Sequence, residues 1–337
     1  MTDNRTYSHN QSASQGFTLV ELMIAITLGL FVIGGIIFLL MQTSSSSRQT
    51  TSLSRMQENA RYTLNLLADE LRHAGFYGKQ LTQSGFEDSI TTTISNDCGV
   101  NGASTKWVYD IASGSFQYET SKTAINSLQQ CVADSDFYDG LDGNGTDFLV
   151  VRSATEQAAS IVANTFYNRT NGSNGCIWFS ASGPKSDPDH PATNNKCPSN
   201  SDPNKSDWIF ESKLYYIQDY YDTSGDGIPT LCRRVTKNAG TTKECLIEGV
   251  ERFVIEFGID SNNDYLADSY TSNPGTANIV SGRIYLLMRA PEAEGGYINS
   301  KTYNLGATAI VAPGDSYQRR VFSNTVILRN IVNLRNF

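Results

Sequence analysis

Residues 16–41 read GFTLVELMIAITLGLFVIGGIIFLLM and contain a single charged residue, Glu21. A helix rises about 1.5 Å per residue, so this run is long enough to cross a bilayer core of about 30 Å. Residues 1–16 are polar, whereas a secretory signal peptide is cleaved after its apolar core. We therefore expect cleavage between Gly16 and Phe17, which leaves the apolar helix on the mature protein.

Glu21 is an unusual residue for a membrane-spanning segment. A carboxylate deep in a bilayer costs about 2–3 kcal/mol, and such residues are functional candidates by default. One neutralising partner is the new α-amino group of Phe17 in a neighbouring subunit. The alternative is an ordinary anchor whose Glu21 lies at the headgroup level, and position alone leaves both open.

Apolar residues continue at helical spacing beyond the membrane segment. Their steps of three and four residues predict an amphipathic helix within residues 42–76, with its apolar face on a globular domain and Gly75 as its C-terminal cap. The Ser/Thr-rich stretch 43–51 predicts a soft spot where the chain leaves the membrane. The predicted stripe is Leu53, Met56, Ala60, Leu64, Leu67, Leu71 and Ala74.

Residues 77–337 alternate short β-like runs with clusters of Gly, Asn, Asp and Ser, which predicts a β-rich domain. The polar stretch of about 164–206 is interpreted as a surface insertion. We expect an α+β fold in which one long N-terminal helix packs on an antiparallel sheet with large loop insertions. The predicted strands are Phe148–Arg152, Cys176–Ser180, Trp208–Gln218, Thr230–Val235, Phe253–Ile259, Arg283–Met288 and Val321–Leu328.

Six cysteines all follow the apolar segment, and no two lie within four residues of each other. Their spacing therefore matches no common zinc or redox motif, and an even count favours disulfides in an oxidising compartment. Six cysteines permit 15 pairings. Neighbours in order are favoured because each pair closes a polar loop, and buried free thiols are the alternative. The expected pairs are Cys98–Cys131, Cys176–Cys197 and Cys232–Cys245.

The net charge of −8 argues against nucleic acid as the main partner. A basic patch has one candidate, Arg319–Arg320 with Arg329 and Arg335, and a solvated face is its alternative. The chain contains no GxSxG, P-loop, HExxH or dinucleotide motif, so we expect no enzyme and no organic cofactor.

One acidic run is a candidate calcium site. Asp260, Asn262, Asp264 and Asp268 stand at relative positions 1, 3, 5 and 9, like part of an EF-hand loop. Tyr265 and Thr271 occupy the places of the EF-hand glycine and glutamate. Since Asn and Asp also favour turns through bonds to their own backbone, turn chemistry is the alternative to Ca²⁺.

The segment Gly16-Phe17-Thr18-Leu19-Val20-Glu21 resembles the type IV prepilin motif, GFTLxE followed by an apolar helix. The resemblance implies that residues 1–16 are a leader removed by prepilin peptidase and that Phe17 becomes N-methylated. It also implies that Glu21 guides docking into a filament whose core contains helix 17–41.

Later stretches resemble the PilW family of minor pilins. They are Met56–Tyr62, Leu66–Arg72, Ala74–Gly78, Gly145–Arg152 and Leu246–Glu251. The resemblance implies a minor pilin that primes and caps a type IV pilus, or fimbrium, and so supports adhesion, twitching motility or DNA uptake. It implies partners among other minor pilins, the major pilin and a PilY-type tip adhesin.

The same resemblance implies a single pass through the inner membrane with a periplasmic domain, and later a place in the surface pilus. A minor pseudopilin of a type II secretion system is the alternative, because it shares the motif and the fold. A membrane-anchored enzyme is a more distant alternative.

Overall fold

The computed structural model of the chain describes residues 16–79, 86–88, 116–120, 132, 136–143, 145–183, 197–238, 240–275 and 277–330. The chain forms two compact units, residues 1–53 and residues 54–337. Cys98, Cys131 and Arg335, which the sequence analysis singles out, lie outside the described residues.

Helix α1 comprises Leu19–His73. The stretch 43–51, predicted as a soft spot, is helical throughout. Its threonine hydroxyls donate to carbonyl oxygens four residues earlier, as Thr43 does to Leu39 at 2.8 Å, so they satisfy their polar groups within the helix. The helix ends before Gly75, whose φ of 77° is a left-handed C-terminal conformation that glycine adopts without strain.

The strands of the described residues follow in chain order. They are β1 (Phe86–Asp88), β2 (Phe116–Glu119), β3 (Phe148–Gln157), β4 (Thr165–Thr170), β5 (Gly175–Ser180), β6 (Ser206–Gln218), β7 (Thr230–Lys237), β8 (Gly240–Glu248), β9 (Val250–Ile259), β10 (Ser269–Thr271), β11 (Ile279–Arg289), β12 (Thr302–Leu305), β13 (Thr308–Val311) and β14 (Arg319–Ile327).

These strands form two main sheets and a hairpin. The larger sheet has the order β1-β5-β4-β6-β3-β2, and β7 pairs with both β6 and β8. The second sheet has the order β10-β9-β11-β14, while β12 and β13 pair with each other. All pairs are antiparallel except β1 with β5, so the α+β fold with a long N-terminal helix and antiparallel sheets is confirmed.

The main core of the second unit lies between the helix and both sheets. It joins the apolar stripe of the helix to β3, β6, β7 and β8 of the larger sheet and to β9, β11 and β14 of the second. The predicted stripe is buried from Met56 to Ala74, and Ala60, Leu67 and Leu71 are fully inaccessible. The periodicity therefore identified the buried face correctly.

All seven predicted strands are present, and six of them are longer than predicted by one to five residues. The seventh, predicted as Val321–Leu328, begins two residues earlier and ends one residue earlier, as β14. The predicted insertion, about 164–206, differs from expectation because it begins with β4 and β5, which belong to the larger sheet. Its composition hid this, since the buried side chains of β4 include the polar residues Asn168, Arg169 and Thr170. Each finds partners inside the fold, as when Asn168 donates to the carbonyl oxygen of Tyr77 at 2.7 Å.

Candidate assembly site

The apolar helix begins with a reciprocal hydrogen-bond pair between Thr18 and Glu21. The Thr18 N–H and hydroxyl donate to Glu21 Oε2 at 3.0 and 2.9 Å, and the Glu21 N–H donates to the Thr18 hydroxyl at 3.3 Å. This is a capping box, which satisfies amide groups that a helix start leaves unpaired. Glu21 is exposed and none of these three bonds uses its Oε1, so a second partner can still reach this carboxylate.

The helix segment that follows exposes its apolar side chains on every side. Large apolar residues from Phe17 to Met41 are roughly half exposed or more, and Phe17 reaches 87%. Helix α1 is also, within the described residues, the one helix long and apolar enough to cross a membrane. Such a surface requires lipid or another protein around it.

Gly16 precedes this segment in open surroundings. A Cβ built on it meets nothing within 4 Å, so packing within this chain does not require glycine there. Any requirement for glycine at this position must come from a molecule that acts on the chain.

The second half of helix α1 is fixed to the sheets by a polar contact as well as by its apolar stripe. Glu70 is 8% exposed and accepts from Lys213 Nζ at 3.0 Å and from the Tyr215 hydroxyl at 2.9 Å. Burial raises the pKa of Tyr215 well above its usual value, and the nearby Glu70 charge raises it further. The phenol therefore remains a neutral donor at any physiological pH.

A turn between β8 and β9 contacts the second half of helix α1. Asn59 Nδ2 donates to the carbonyl oxygen of Glu248 at 3.3 Å. The next residue, Gly249, has a φ of 77°, and a Cβ on it would lie 2.7 Å from the carbonyl oxygen of Arg289. Glycine is required here both for its conformation and for the close approach of β11.

Glu251, two residues later, is the centre of a buried ion network. It accepts from Arg319 Nε at 2.6 Å and Nη2 at 2.9 Å, and from the Tyr138 hydroxyl at 3.2 Å. Arg319 also donates to Asp315 at 2.6 and 2.7 Å, and these bonds hold the pKa of the Asp315 carboxyl below its usual value. Arg319 is therefore an internal residue and does not contribute to a basic surface patch.

A second buried pair joins the residue before β3 to β9 of the second sheet. Asp147, 1% exposed, accepts from Arg252 Nη2 at 3.1 Å and from the Tyr118 hydroxyl. Burial raises the pKa of Asp147, while the Arg252 charge opposes that rise. Truncating one partner of such a pair leaves an uncompensated buried charge, so both residues serve the fold.

The end of the helix docks on β3. Gly75 N–H donates to the carbonyl oxygen of Arg152 at 3.2 Å, and Ala154 N–H donates to that of Phe76 at 2.6 Å. Gly78 has no room for a side chain, because a Cβ would lie 2.5 Å from Trp208 Nε1. This explains both glycines of the segment 74–78.

Two of the expected cysteine pairs are joined by disulfide bonds in the structure, Cys176–Cys197 and Cys232–Cys245. Cys232 and Cys245 face each other across β7 and β8. Cys176 lies in β5 among Tyr167 and Trp178, so this bond holds the polar segment before β6 to the sheet.

The loop proposed for calcium is organised by its own backbone. Asp260 is 3% exposed, and its carboxylate accepts amide bonds from Asn262, Asn263, Asp264 and Tyr265 at 2.7–3.3 Å. Asp268 accepts from the Ser261 amide at 2.7 Å. Within the described ranges no group of three or more His, Cys, Asp or Glu residues is arranged to hold a metal ion. The contacts favour turn chemistry here, and calcium binding stays a prediction.

Three of these contacts have a signal in the sequence. Thr18 and Glu21 have the Thr-x-x-Glu spacing of a capping box. Glu251 follows the apolar Val250 in a strand rich in apolar residues, and Glu70 neighbours the apolar stripe at Leu71. An acidic residue inside or beside an apolar pattern indicates a buried partner, although it does not identify that partner.

Comparison with known proteins gives two family matches. Residues 214–330 match the Type IV Pilus-assembly protein W family, and residues 11–37 match the prokaryotic N-terminal methylation motif. No protein with a curated description matches the chain. Among solved structures, the type IV-like pilin TTHA1219 from Thermus thermophilus aligns with 82% of this chain and 98% of its own length, at 11% identity and a TM-score of 0.33.

Proposed function

We propose that this chain is a minor subunit that primes the assembly of a type IV pilus and remains at the tip, because residues 214–330 match the Type IV Pilus-assembly protein W family and residues 11–37 match the N-terminal methylation motif. One observation carries the proposal. The apolar segment Phe17–Met41 has no apolar partner within its own described chain, and the helix start presents Glu21 at one end of it. A helix of this kind is stable in lipid and again stable when neighbouring helices replace the lipid.

Glu21 is proposed to set how the helices of neighbouring subunits align when they replace the lipid. In the precursor its Oε2 is held by Thr18, and Oε1 remains available for the ammonium group of a neighbouring Phe17 once cleavage has produced it. An ion pair in a low-dielectric surrounding is favourable only with good geometry, and a partnerless carboxylate there is costly. The arrangement therefore favours one register between neighbouring subunits.

The size of the second unit favours the tip over the shaft. The chain has 337 residues, and its larger sheet is extended by β4, β5 and a disulfide-linked polar segment. Many copies packed side by side would crowd one another, whereas at a tip the added mass can point outward. Other minor pilins and a tip adhesin are the partners that this position implies.

The test compares Glu21→Ala with Glu58→Ala, a matched change at an exposed carboxylate of the same helix. We expect both variants to remain in the inner membrane. The number of Glu21→Ala copies in sheared filaments should fall about tenfold or more, in line with the loss of one buried ionic contact. Equal incorporation of the two variants would contradict the docking role.

Counting this subunit against the major pilin in the same filaments tests the tip position. Equal abundance along the shaft would contradict it. Deleting the gene should remove surface filaments and leave protein secretion normal, whereas the reverse outcome would assign the chain to a secretion pseudopilus.

The processing step has its own measurement. Mass spectrometry of the native protein should find an N-terminal, methylated Phe17, and Gly16→Val should leave the leader uncleaved. Since a side chain at Gly16 has free space in the folded chain, a block would report on the peptidase. An intact Met1 on the native protein would contradict the prediction.

A further inference from the structure

Strand β14 is the last strand of the second sheet. It pairs with β11 in nine consecutive register pairs, from Ser281↔Ile327 to Arg289↔Arg319, without a bulge. No other strand of the described residues pairs with its opposite side. Within the described residues, the sheet therefore ends in a regular edge of nine residues, which is longer than the usual strand of about 5–6 residues.

Two backbone bonds at the ends of this pairing show which groups face the free edge. The Ala290 N–H donates to the Gln318 carbonyl oxygen, and the Leu328 N–H donates to the Val280 carbonyl oxygen. Since backbone groups alternate in direction along a strand, the even-numbered residues of β14 bond to β11. The N–H and C=O groups of Val321, Ser323 and Thr325 consequently point outward.

The contact at Thr325 agrees with this assignment. Its N–H donates to the Asn324 side-chain Oδ1 at 2.8 Å, and so it takes no part in the ladder to β11. The bond covers one outward donor with a local side chain, while β14 contains no proline, glycine or bulge, the usual devices that protect an edge.

The charged residues of β14 itself and of the segment that follows it are all positive. Residues 316–337 contain no Asp or Glu, although the whole chain carries a net charge of −8. Arg319 is neutralised by Glu251 and Asp315. Arg320 and Arg329 are exposed, and neither forms an ion pair with any residue that the structure describes. An arginine without a carboxylate partner thus stands near each end of the edge.

We propose that the free edge of β14 binds an extended, acidic segment of a neighbouring subunit, which adds a strand to the second sheet. Strand addition derives affinity from main-chain hydrogen bonds, and side chains provide selectivity. The backbone groups of Val321 and Ser323 are available for those bonds. The Thr325 N–H becomes available when its bond to the Asn324 side chain breaks. Arg320 and Arg329 select acidic side chains. This deepens the proposed function, because it names a surface through which a pilus subunit holds its neighbour.

A defined peptide tests the edge with the full-length protein in detergent micelles. The probe is a labelled nine-residue peptide, matched to the nine register pairs, that alternates valine with threonine or glutamate. Its twin has lysine in place of each glutamate. Fluorescence anisotropy should show the acidic peptide binding about tenfold or more tightly than the lysine peptide, because charge complementarity selects the partner.

Three variants identify the groups responsible. Ser323→Pro removes an outward N–H and leaves the ladder intact, since proline is tolerated at an edge position of this kind; we expect affinity for the acidic peptide to fall about tenfold. Arg320→Glu should remove most of the preference for the acidic peptide, because the new carboxylate offsets the charge that Arg329 retains. Asn324→Ala should raise affinity severalfold, because the Thr325 N–H becomes free for the ligand.

A matched control separates the edge from the fold. Ser323→Val keeps the N–H, so it should bind like the unaltered protein. If Ser323→Pro fails to fold, as circular dichroism would reveal, Arg320→Glu and Asn324→Ala still decide the matter. Equal binding of both peptides, or no response to any of the three variants, overturns the proposal.

Two other occupants are outcomes of the same experiments. Tighter binding of a single-stranded DNA of about 20 nucleotides, unaffected by Ser323→Pro, would assign the arginines to nucleic acid. A dimer in sedimentation that Ser323→Pro dissolves would assign the edge to a second copy. Either result overturns the acidic segment as occupant.

The peptide-binding experiment does not require filaments, so its result is independent of whether the proposed function is correct. Loss of peptide binding with normal pilus incorporation would reject the edge alone. Normal peptide binding in cells whose pili do not need the protein would reject the function alone.

Discussion

Helix α1 contains two segments of the same secondary structure whose apolar side chains have different surroundings. In Phe17–Met41 the large apolar residues are exposed, while in Ser54–His73 the stripe from Met56 to Leu71 is buried against two sheets. The first segment needs a partner from outside the chain, and the second finds its partner within the chain. Apolar content alone does not distinguish these cases, but the width of the apolar face does.

The two halves also contrast in how they hold a carboxylate. Glu21 is exposed, and within the part of the chain that the structure describes its carboxylate bonds to Thr18 alone, three residues away. Glu70 is buried and bonds to Lys213 and Tyr215 of β6. A carboxylate that is bonded locally can still accept a partner from another molecule, whereas one that is bonded across the fold stabilises the fold.

Truncating one leucine in each half should give the largest difference. Leu67 is fully buried and Leu30 is 64% exposed. We expect Leu67→Ala to lower the free energy of unfolding by about 2–5 kcal/mol. The substitution removes buried methyl groups and leaves a cavity, so the surrounding side chains lose their contacts with Leu67. Leu30→Ala should change the free energy of unfolding by less than about 0.5 kcal/mol. Chemical unfolding of the full chain in detergent measures both, and equal losses would contradict the comparison.

Both described disulfides lie in residues 54–337, the unit that contains the buried half of the helix. Replacing Cys232 and Cys245 together by serine should lower the free energy of unfolding by about 2–4 kcal/mol, because the unfolded chain gains freedom. Membrane insertion should not change. Mass mapping of unreduced peptides checks the pairing, and six free thiols in the denatured, unreduced protein would contradict it.

Removing the buried carboxylate should have an intermediate effect. Glu70→Ala leaves the Tyr215 hydroxyl without its acceptor and Lys213 with Glu211 as its remaining partner at 3.3 Å, so we expect a loss of about 1–3 kcal/mol. Glu21→Ala should leave the same unfolding curve unchanged. A loss of stability in Glu21→Ala as large as that in Glu70→Ala would show that the two carboxylates do not differ as described.

The sequence predicts those features that depend on local pattern. Periodicity identified the buried stripe from Met56 to Ala74, and alternating β-branched and aromatic residues located seven strands. The Asn-, Ser- and Asp-rich composition of residues 164–206 concealed β4 and β5, because their polar side chains are satisfied by distant residues such as Tyr77 and Asp207.

Long-range polar contacts were beyond the reach of such patterns. Glu251 and Arg319 are 68 residues apart, and Glu70 and Tyr215 are 145 apart. No local period relates such residues, since only the packing of separate strands brings them together. The arginine pair 319–320 illustrates the limit, because one residue is buried in an ion network and its neighbour is exposed.

The smallest effect is expected at the loop Asp260–Asp268, where the same question arises of whether a group is satisfied within the chain or by an outside partner. Asp260 already accepts four amide bonds, so a calcium ion must compete with a turn whose hydrogen bonds form without it. We predict that millimolar Ca²⁺ raises the free energy of unfolding of the full chain by about 1 kcal/mol, by ligand linkage at a weak site. Asp264→Ala should abolish the gain in stability, because it removes one of the carboxylates predicted to bind Ca²⁺, whose present bonds are to Asn262 and Leu266 of the same loop. Asp222→Ala lies in a different loop and should retain the gain. Mg²⁺ at the same concentration serves as the ionic control, since Ca²⁺ tolerates irregular oxygen geometry and Mg²⁺ does not. A melting temperature that does not change with Ca²⁺ would contradict calcium binding. The carboxylates of this loop would then be satisfied by groups of the same chain, as the side chains of the buried half of the helix are.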